Sequence, residues 1–198
     1  MYTLYCKEIH IFSCRETYIL KYFGITNNFT FRKYLYSIND KNKTTFIQCC
    51  IKDILLKNSI EFQEFPIKMI KNNIVSEDDS HLEELKMVLN ERKKQNPNEM
   101  IFGSFFTFPL WKIRNERDPI DFFKEFGKTI SDKLGKLSED ELKEFHHLSK
   151  NGTKEEIITF LEKNNIDEKK EIEDIYIGYG GFCYKCKEGR HIQRLCKN

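Results

Sequence analysis

Residues 29–66 read FTFRKYLYSINDKNKTTFIQCCIKDILLKNSIEFQEFP, and changes of period within them point to an α+β fold. Phe29, Phe31, Tyr34, Tyr36 and Ile38 alternate around Arg32 and Lys33 with one slip in register, which predicts a strand closed by the turn Asn39-Asp40-Lys41-Asn42. Phe46, Ile47, Cys50, Ile51, Ile54 and Leu55 then recur at helical spacing, predicting a helix over 44–57 with a buried stripe. Ile60 to Phe65 reads as a second strand stopped by Pro66. Strand, helix and strand in close succession suit a mixed α/β N-terminal part.

Downstream the signals are helical and well punctuated. Ser80 with Glu83, Ser138 with Glu141, and Thr153 with Glu156 have capping-box spacing, in which a hydroxyl accepts an orphan N–H and a carboxylate reaches back to the cap. Asp118-Pro119 predicts a further helix carrying Ile120, Phe123, Phe126, Ile130 and Leu134. Asn96-Pro97 and Asn151-Gly152 are stops, and the second leaves so short a link that the flanking helices should pair. Residues 100–113 are apolar and β-rich, a buried strand or connector broken by Pro109. The expected layout is an α+β body over 1–174, a Gly-rich hinge over 175–182, and a small tail over 183–198.

Composition narrows the class. The chain has 198 residues, 39% apolar and 14% aromatic, enough to build a core. Alanine is absent and valine occurs only at Val75 and Val88, so the abundant Lys, Asn, Ile and Phe reflect AT-rich coding and their runs are not motifs. No stretch approaches the roughly 20 apolar residues of a membrane span. Residues 1–12 carry Lys7, Glu8 and His10 inside an apolar pattern, unlike a secretory signal. A cytoplasmic, reducing location is expected. Seven cysteines, at 6, 14, 49, 50, 183, 186 and 196, are too uneven for a disulfide framework.

The formal charge of +2 hides a strong asymmetry. Residues 1–75 hold eleven Lys/Arg against six acids, and 183–198 hold five against one. Residues 138–174 hold six against twelve. A polyanion should therefore meet the tail and the N-terminal half, with the acidic block turned away; a solvated acidic face is the plainer alternative.

The tail carries the chemistry. Cys183, Cys186, His191 and Cys196 have the spacing C-x2-C-x4-H-x4-C. Three thiolates and an imidazole can close a tetrahedron around Zn2+, with Zn–S near ~2.3 Å. So short a segment buries too little apolar surface to fold alone, so metal binding and folding would be one event.

This segment resembles the CCHC zinc knuckle of retroviral nucleocapsid proteins and related cellular RNA-binding proteins. The likeness covers residues 183–196 and includes an aromatic after the first Cys (Tyr184), the run Lys187-Glu188-Gly189, and the pattern His191-Ile192-Gln193-Arg194-Leu195-Cys196. Lys187 and Arg190 stand where the family prefers glycine. The resemblance implies that Tyr184 and Ile192 form a platform for an unpaired base, while Lys185, Lys187, Arg190, Arg194 and Lys197 meet phosphates. It implies a zinc-dependent RNA-binding protein; separately, a nearly neutral body with a short basic tail points to docking on one structured ribonucleoprotein, of which the ribosome is the most frequent, as an accessory or dormancy factor. A Gag-like nucleic-acid packaging protein and a protein-interaction module are the alternatives.

Other signals carry less. Gly127-Lys128-Thr129 lacks the upstream glycine of a phosphate loop, because position 122 is Phe. Cys6, His10 and Cys14, with Cys49 or Cys50, could form a second metal site, or simply be core residues. His146 and His147 should sit one semi-buried and one exposed on a helix. Trp111 beside Arg114 and Arg117 reads as core rather than as an RNA surface. No nucleophile constellation emerges from spacing, and neither a catalytic role nor a small-molecule substrate is expected.

Overall fold

A computed structural model describes residues 1–13, 16–37, 52, 54–94, 96–103 and 134–166. Their fold is α+β: a mixed five-stranded sheet with helices on both faces. Strand β1 (Tyr2–Phe12) and β2 (Thr17–Thr26) form a long antiparallel hairpin. Helix α1 (Phe29–Ser37) follows, and β3 (Glu61–Glu64) and β4 (Lys68–Ile74) then line the outer edge of β1 end to end, both antiparallel to it. Helix α2 (Glu77–Lys93) leads to β5 (Glu99–Phe102), which pairs parallel with β2 on the opposite edge. A parallel return needs a crossover, and α2 supplies it by packing over β1 and β2. Helices α3 (Glu139–Asn151) and α4 (Lys154–Lys163) complete the described part.

Alternation along β1 builds two cores. Leu4 and Cys6, with Phe23 and Ile101, face Leu85, Val88 and Leu89 of α2 and then Leu142, Phe145, Ile157, Phe160 and Leu161 of α3 and α4. Ile9 and Ile11, of the opposite parity, join Tyr18, Leu20, Met100 and Phe102 under Ile54 and Leu55. A sheet covered on both sides reads as a run of apolar residues without a clean polar alternation. That is why residues 1–26 give no clear strand signal.

Tyr5 packs across Gly24, its cross-strand partner. A β-carbon on Gly24 would stand 2.7 Å from Tyr5 Oη and 3.0 Å from Tyr22 Cε1. The Tyr5 ring is buried and its hydroxyl lies 3.4 Å from that of Tyr36, so it has little room to give way. Gly24→Ala is expected to destabilise the fold by about 1–3 kcal/mol in urea unfolding, despite alanine's better strand propensity.

Three expectations change. The segment 29–38, predicted as a strand, is helical over Phe29–Ser37. Asn28 caps it: its side-chain oxygen accepts from the Phe31 N–H at 2.9 Å and its carbonyl from the Arg32 N–H at 3.0 Å. The helix of 77–93 starts four residues before the Ser80–Glu83 box, capped by Ser76, whose Oγ accepts from the Asp79 N–H at 3.0 Å. Ser80 is buried inside the first turns and donates to the Glu77 carbonyl. Glu77, Asp78 and Asp79 in the first turn suit the positive end of the helix dipole. Third, the N-terminal hairpin was not foreseen as strands.

Other expectations hold. The Ser138–Glu141 and Thr153–Glu156 capping boxes form, α3 ends at Asn151, and β3 falls within 60–65. Residues 54–57 are helical, as the stripe over 44–57 predicts for its end. Residues 99–102 form the strand β5 within the apolar stretch. The rest of that stretch, the helix after Pro119, the turn at 39–42, the hinge and the tail lie outside the described residues.

Candidate nucleic-acid interface

The zinc-knuckle residues Cys183, Cys186, His191 and Cys196 lie outside the described residues, as do Tyr184, Lys185, Lys187, Arg190, Ile192, Arg194 and Lys197. Cys14, Cys49 and Cys50 do too. Among the described residues no group of three His, Cys, Asp or Glu side chains is placed to hold a metal ion. The C-x3-H spacing of Cys6 and His10 falls on strand β1, in unbroken register with β2. Four steps along the strand put their backbones about 13 Å apart, far beyond a shared ion. Cys6 is buried in the core, and burial, with Glu8 nearby, pushes its thiol pKa up to about 12. His10 instead packs against Phe65, with ring centroids 4.4 Å apart and planes inclined by 46°.

Helix α1 stands apart from the other described helices. It contains no acid and no fully buried residue. Phe29, Arg32, Leu35 and Tyr36 are half-buried toward the sheet, where the Tyr36 ring lies 6.0 Å from that of Tyr5 and 5.5 Å from the Lys7 ammonium. Phe31 and Tyr34, one turn apart, point outward with 55% and 54% of their surface exposed. Their rings stack on one another with centroids 6.4 Å apart and planes inclined by 30°. Lys33 is also exposed, on the flank of the helix next to Tyr34, and Arg32 is half-exposed toward the sheet. Met69, opposite Tyr5 across the sheet edge, is exposed on this same face.

Beneath α1 lies a buried ion cluster. Lys7, 4% exposed, reaches Glu64 at 3.1 Å and donates to the Phe65 carbonyl. Lys52 meets the same carboxylate. Burial lowers the Lys7 pKa against the pull of Glu64, while the two lysines hold Glu64 below the usual carboxylate range against its own burial. Burial raises the Tyr5 and Tyr22 hydroxyls well above the ordinary phenol, and Arg32 offsets part of the rise. Two ammonium groups thus share one carboxylate, so these three side chains together carry an excess of positive charge.

The opposite face is different. There Lys21 joins Glu99 at 2.8 Å and Glu91 at 3.6 Å, tying β2, β5 and α2 together. The Arg92 guanidinium, buried, donates from Nε and Nη2 to the Ile101 carbonyl. The acid-rich helices α3 and α4 pack on this side, with Glu139 and Asp140 exposed. A groove of about 210 Å³ between α2 and α3 is spanned by the Lys86–Glu139 ion pair. His146 is buried and His147 exposed, as expected; the His146 ring lies 6.3 Å from that of His81 on α2. Among the described residues, the acid-rich helices α3 and α4 thus lie on the face of the sheet opposite α1.

Sequence reading found the zinc-ligand spacing but missed α1, because its aromatics also fit an alternating strand. Asn28 was the available signal. No described helix is long and apolar enough to cross a membrane. Comparison with protein-family models, curated proteins and solved structures finds no match to this chain.

Proposed function

We propose that the chain is a non-catalytic, cytoplasmic RNA-binding protein whose C-terminal residues 183–196 fold around one Zn2+ as a CCHC knuckle. The observation that carries this reading is the C-x2-C-x4-H-x4-C spacing of Cys183, Cys186, His191 and Cys196, with family-like flanks. The donor set suits zinc, since thiolates and imidazole match its softness and a closed set of four suits a structural role. Tyr184 and Ile192 then offer a stacking platform, and Lys185, Lys187, Arg190, Arg194 and Lys197 neutralise phosphates.

Three thiolates around Zn2+ carry a net −1, leaving the tail only modestly basic. One knuckle therefore binds weakly and in a salt-sensitive way, and useful affinity requires a second contact from the body. A nearly neutral body does not coat RNA indiscriminately, which favours docking on one structured ribonucleoprotein. The ribosome is the most abundant such surface, where the protein would serve as an accessory or dormancy factor.

Chain purified under reducing conditions without chelator should contain one zinc per molecule by mass spectrometry. His191→Ala should lose that zinc and weaken RNA binding at least ~10-fold, because the platform folds only with the metal. Wild-type chain should co-sediment with ribosomes at moderate salt. Zinc-free wild-type protein, or unchanged RNA affinity in His191→Ala, would sink the reading. Zinc without RNA binding would instead make the knuckle a protein-interaction tab, and RNA-driven multimers would favour packaging.

A further inference from the structure

We infer that the outward face of α1 is the body's own contact for unpaired RNA, with bases stacking on Phe31 and Tyr34 and phosphates meeting the exposed Lys33. This rests on the reading of the chain as an RNA-binding protein and names the second contact that a single weak knuckle requires.

Exposure comes first. Two large aromatic side chains side by side, each more than half exposed, lose apolar surface to water with no return unless something covers them. Their placement is not a folding requirement, since the inward side of α1 is made by Phe29, Arg32, Leu35 and Tyr36. The chemistry of the occupant follows from what surrounds the rings. The exposed apolar groups here are π faces, Lys33 is exposed on the same helix, and α1 contains no acid. Such a surface suits a ligand whose planar rings alternate with negative charges, which describes single-stranded RNA.

The electrostatics of the fold agree. Lys7 sits below the helix, 5.5 Å from the Tyr36 ring, and shares one carboxylate with Lys52, so the nearest described ion cluster carries more positive than negative charge. The acid-rich α3 and α4 pack against the other face of the sheet, so they do not repel a strand lying along α1. Every base has a π face, so this contact adds affinity without demanding sequence.

The test uses full-length, zinc-loaded chain and a fluorescein-labelled oligouridylate, with a thiouridine-substituted copy for photocrosslinking. Phe31→Ala/Tyr34→Ala is expected to weaken binding at least ~10-fold with the knuckle intact. The crosslinked peptide should contain α1, a readout that does not depend on the variant's folding. Phe31→Leu/Tyr34→Leu, which keeps apolar bulk without the rings, should lose affinity similarly. If wild type binds but both double variants bind equally well, the inference is overturned, the face belongs to a protein partner, and the knuckle reading stands. If His191→Ala retains most affinity while the α1 variants lose it, the inference holds and the knuckle reading fails. Absence of any binding by wild type overturns both.

Discussion

Phe145→Ala is expected to lower stability by about 3–5 kcal/mol, the range for truncating a fully buried phenylalanine. Phe145 is wholly shielded from solvent and stacks on Phe160 with centroids 5.7 Å apart and planes inclined by 22°. It joins the core that α2, α3 and α4 share with the sheet, beside Leu85, Val88 and Ile157. Alanine there leaves a cavity bounded by three elements, and partial collapse recovers little of the lost contact. For a chain of this size the loss corresponds to a melting point lower by about 8–15 °C. Phe31→Ala is the control, because a half-exposed ring on α1 should change stability by no more than about 0.5 kcal/mol. A cost below about 1 kcal/mol for Phe145→Ala in urea unfolding would mean that α3 does not dock on the sheet as described.

Acidification should destabilise the fold between about pH 6.5 and pH 4, and the His81–His146 pair should account for much of the slope. Burial first, then Lys150, His81 and His147, push the His146 pKa down to about 4 against the pull of Asp78. His81 shifts in the same direction, lowered by burial and by Lys150 against Glu77 and Asp78. A histidine whose folded pKa lies below its unfolded value takes up its proton more readily when unfolded. Its contribution is therefore constant above about pH 6.5, falls as pH drops toward 4, and levels off below. Allowing for some solvent access, His146 should contribute a loss of about 2 kcal/mol over that window. Asp78 and Glu64 are depressed carboxylates, so their favourable contributions fade at lower pH as each regains its proton. The difference between wild type and His146→Gln in urea melts across pH separates the two effects. Parallel pH profiles for the two proteins would refute the assignment.

Local chemistry was legible wherever a short-range signal had one structural solution. Ser138–Glu141 and Thr153–Glu156 each join two groups three residues apart, and both boxes form where the sequence places them. Ser80 followed by Glu83 satisfies the same rule. The chain instead starts the helix at Ser76, where three acids meet the helix dipole and Ser80 can be buried. The same spacing thus served an interior turn, and nothing local distinguished the two uses. Residues 29–37 show the converse. Alternating aromatics are what a strand wants, yet a helix with Asn28 at its cap sets Tyr36 over Tyr5 and Lys7. That contact partner is some thirty residues away, so no window of sequence contains it.

By itself the sequence determined the mixed class of the fold, the two capped C-terminal helices, the separation of charge along the chain, and the four zinc-ligand candidates at 183, 186, 191 and 196. These rest on residues close enough in the chain to interact whatever the rest of the molecule does. Only the tertiary structure decided that β1 is central and buried on both faces, that Cys6 is a core residue, and that α1 carries its exposed rings on the side of the sheet away from the acidic helices. Each depends on which face of a strand or helix is covered, and that is settled by partners distant in sequence.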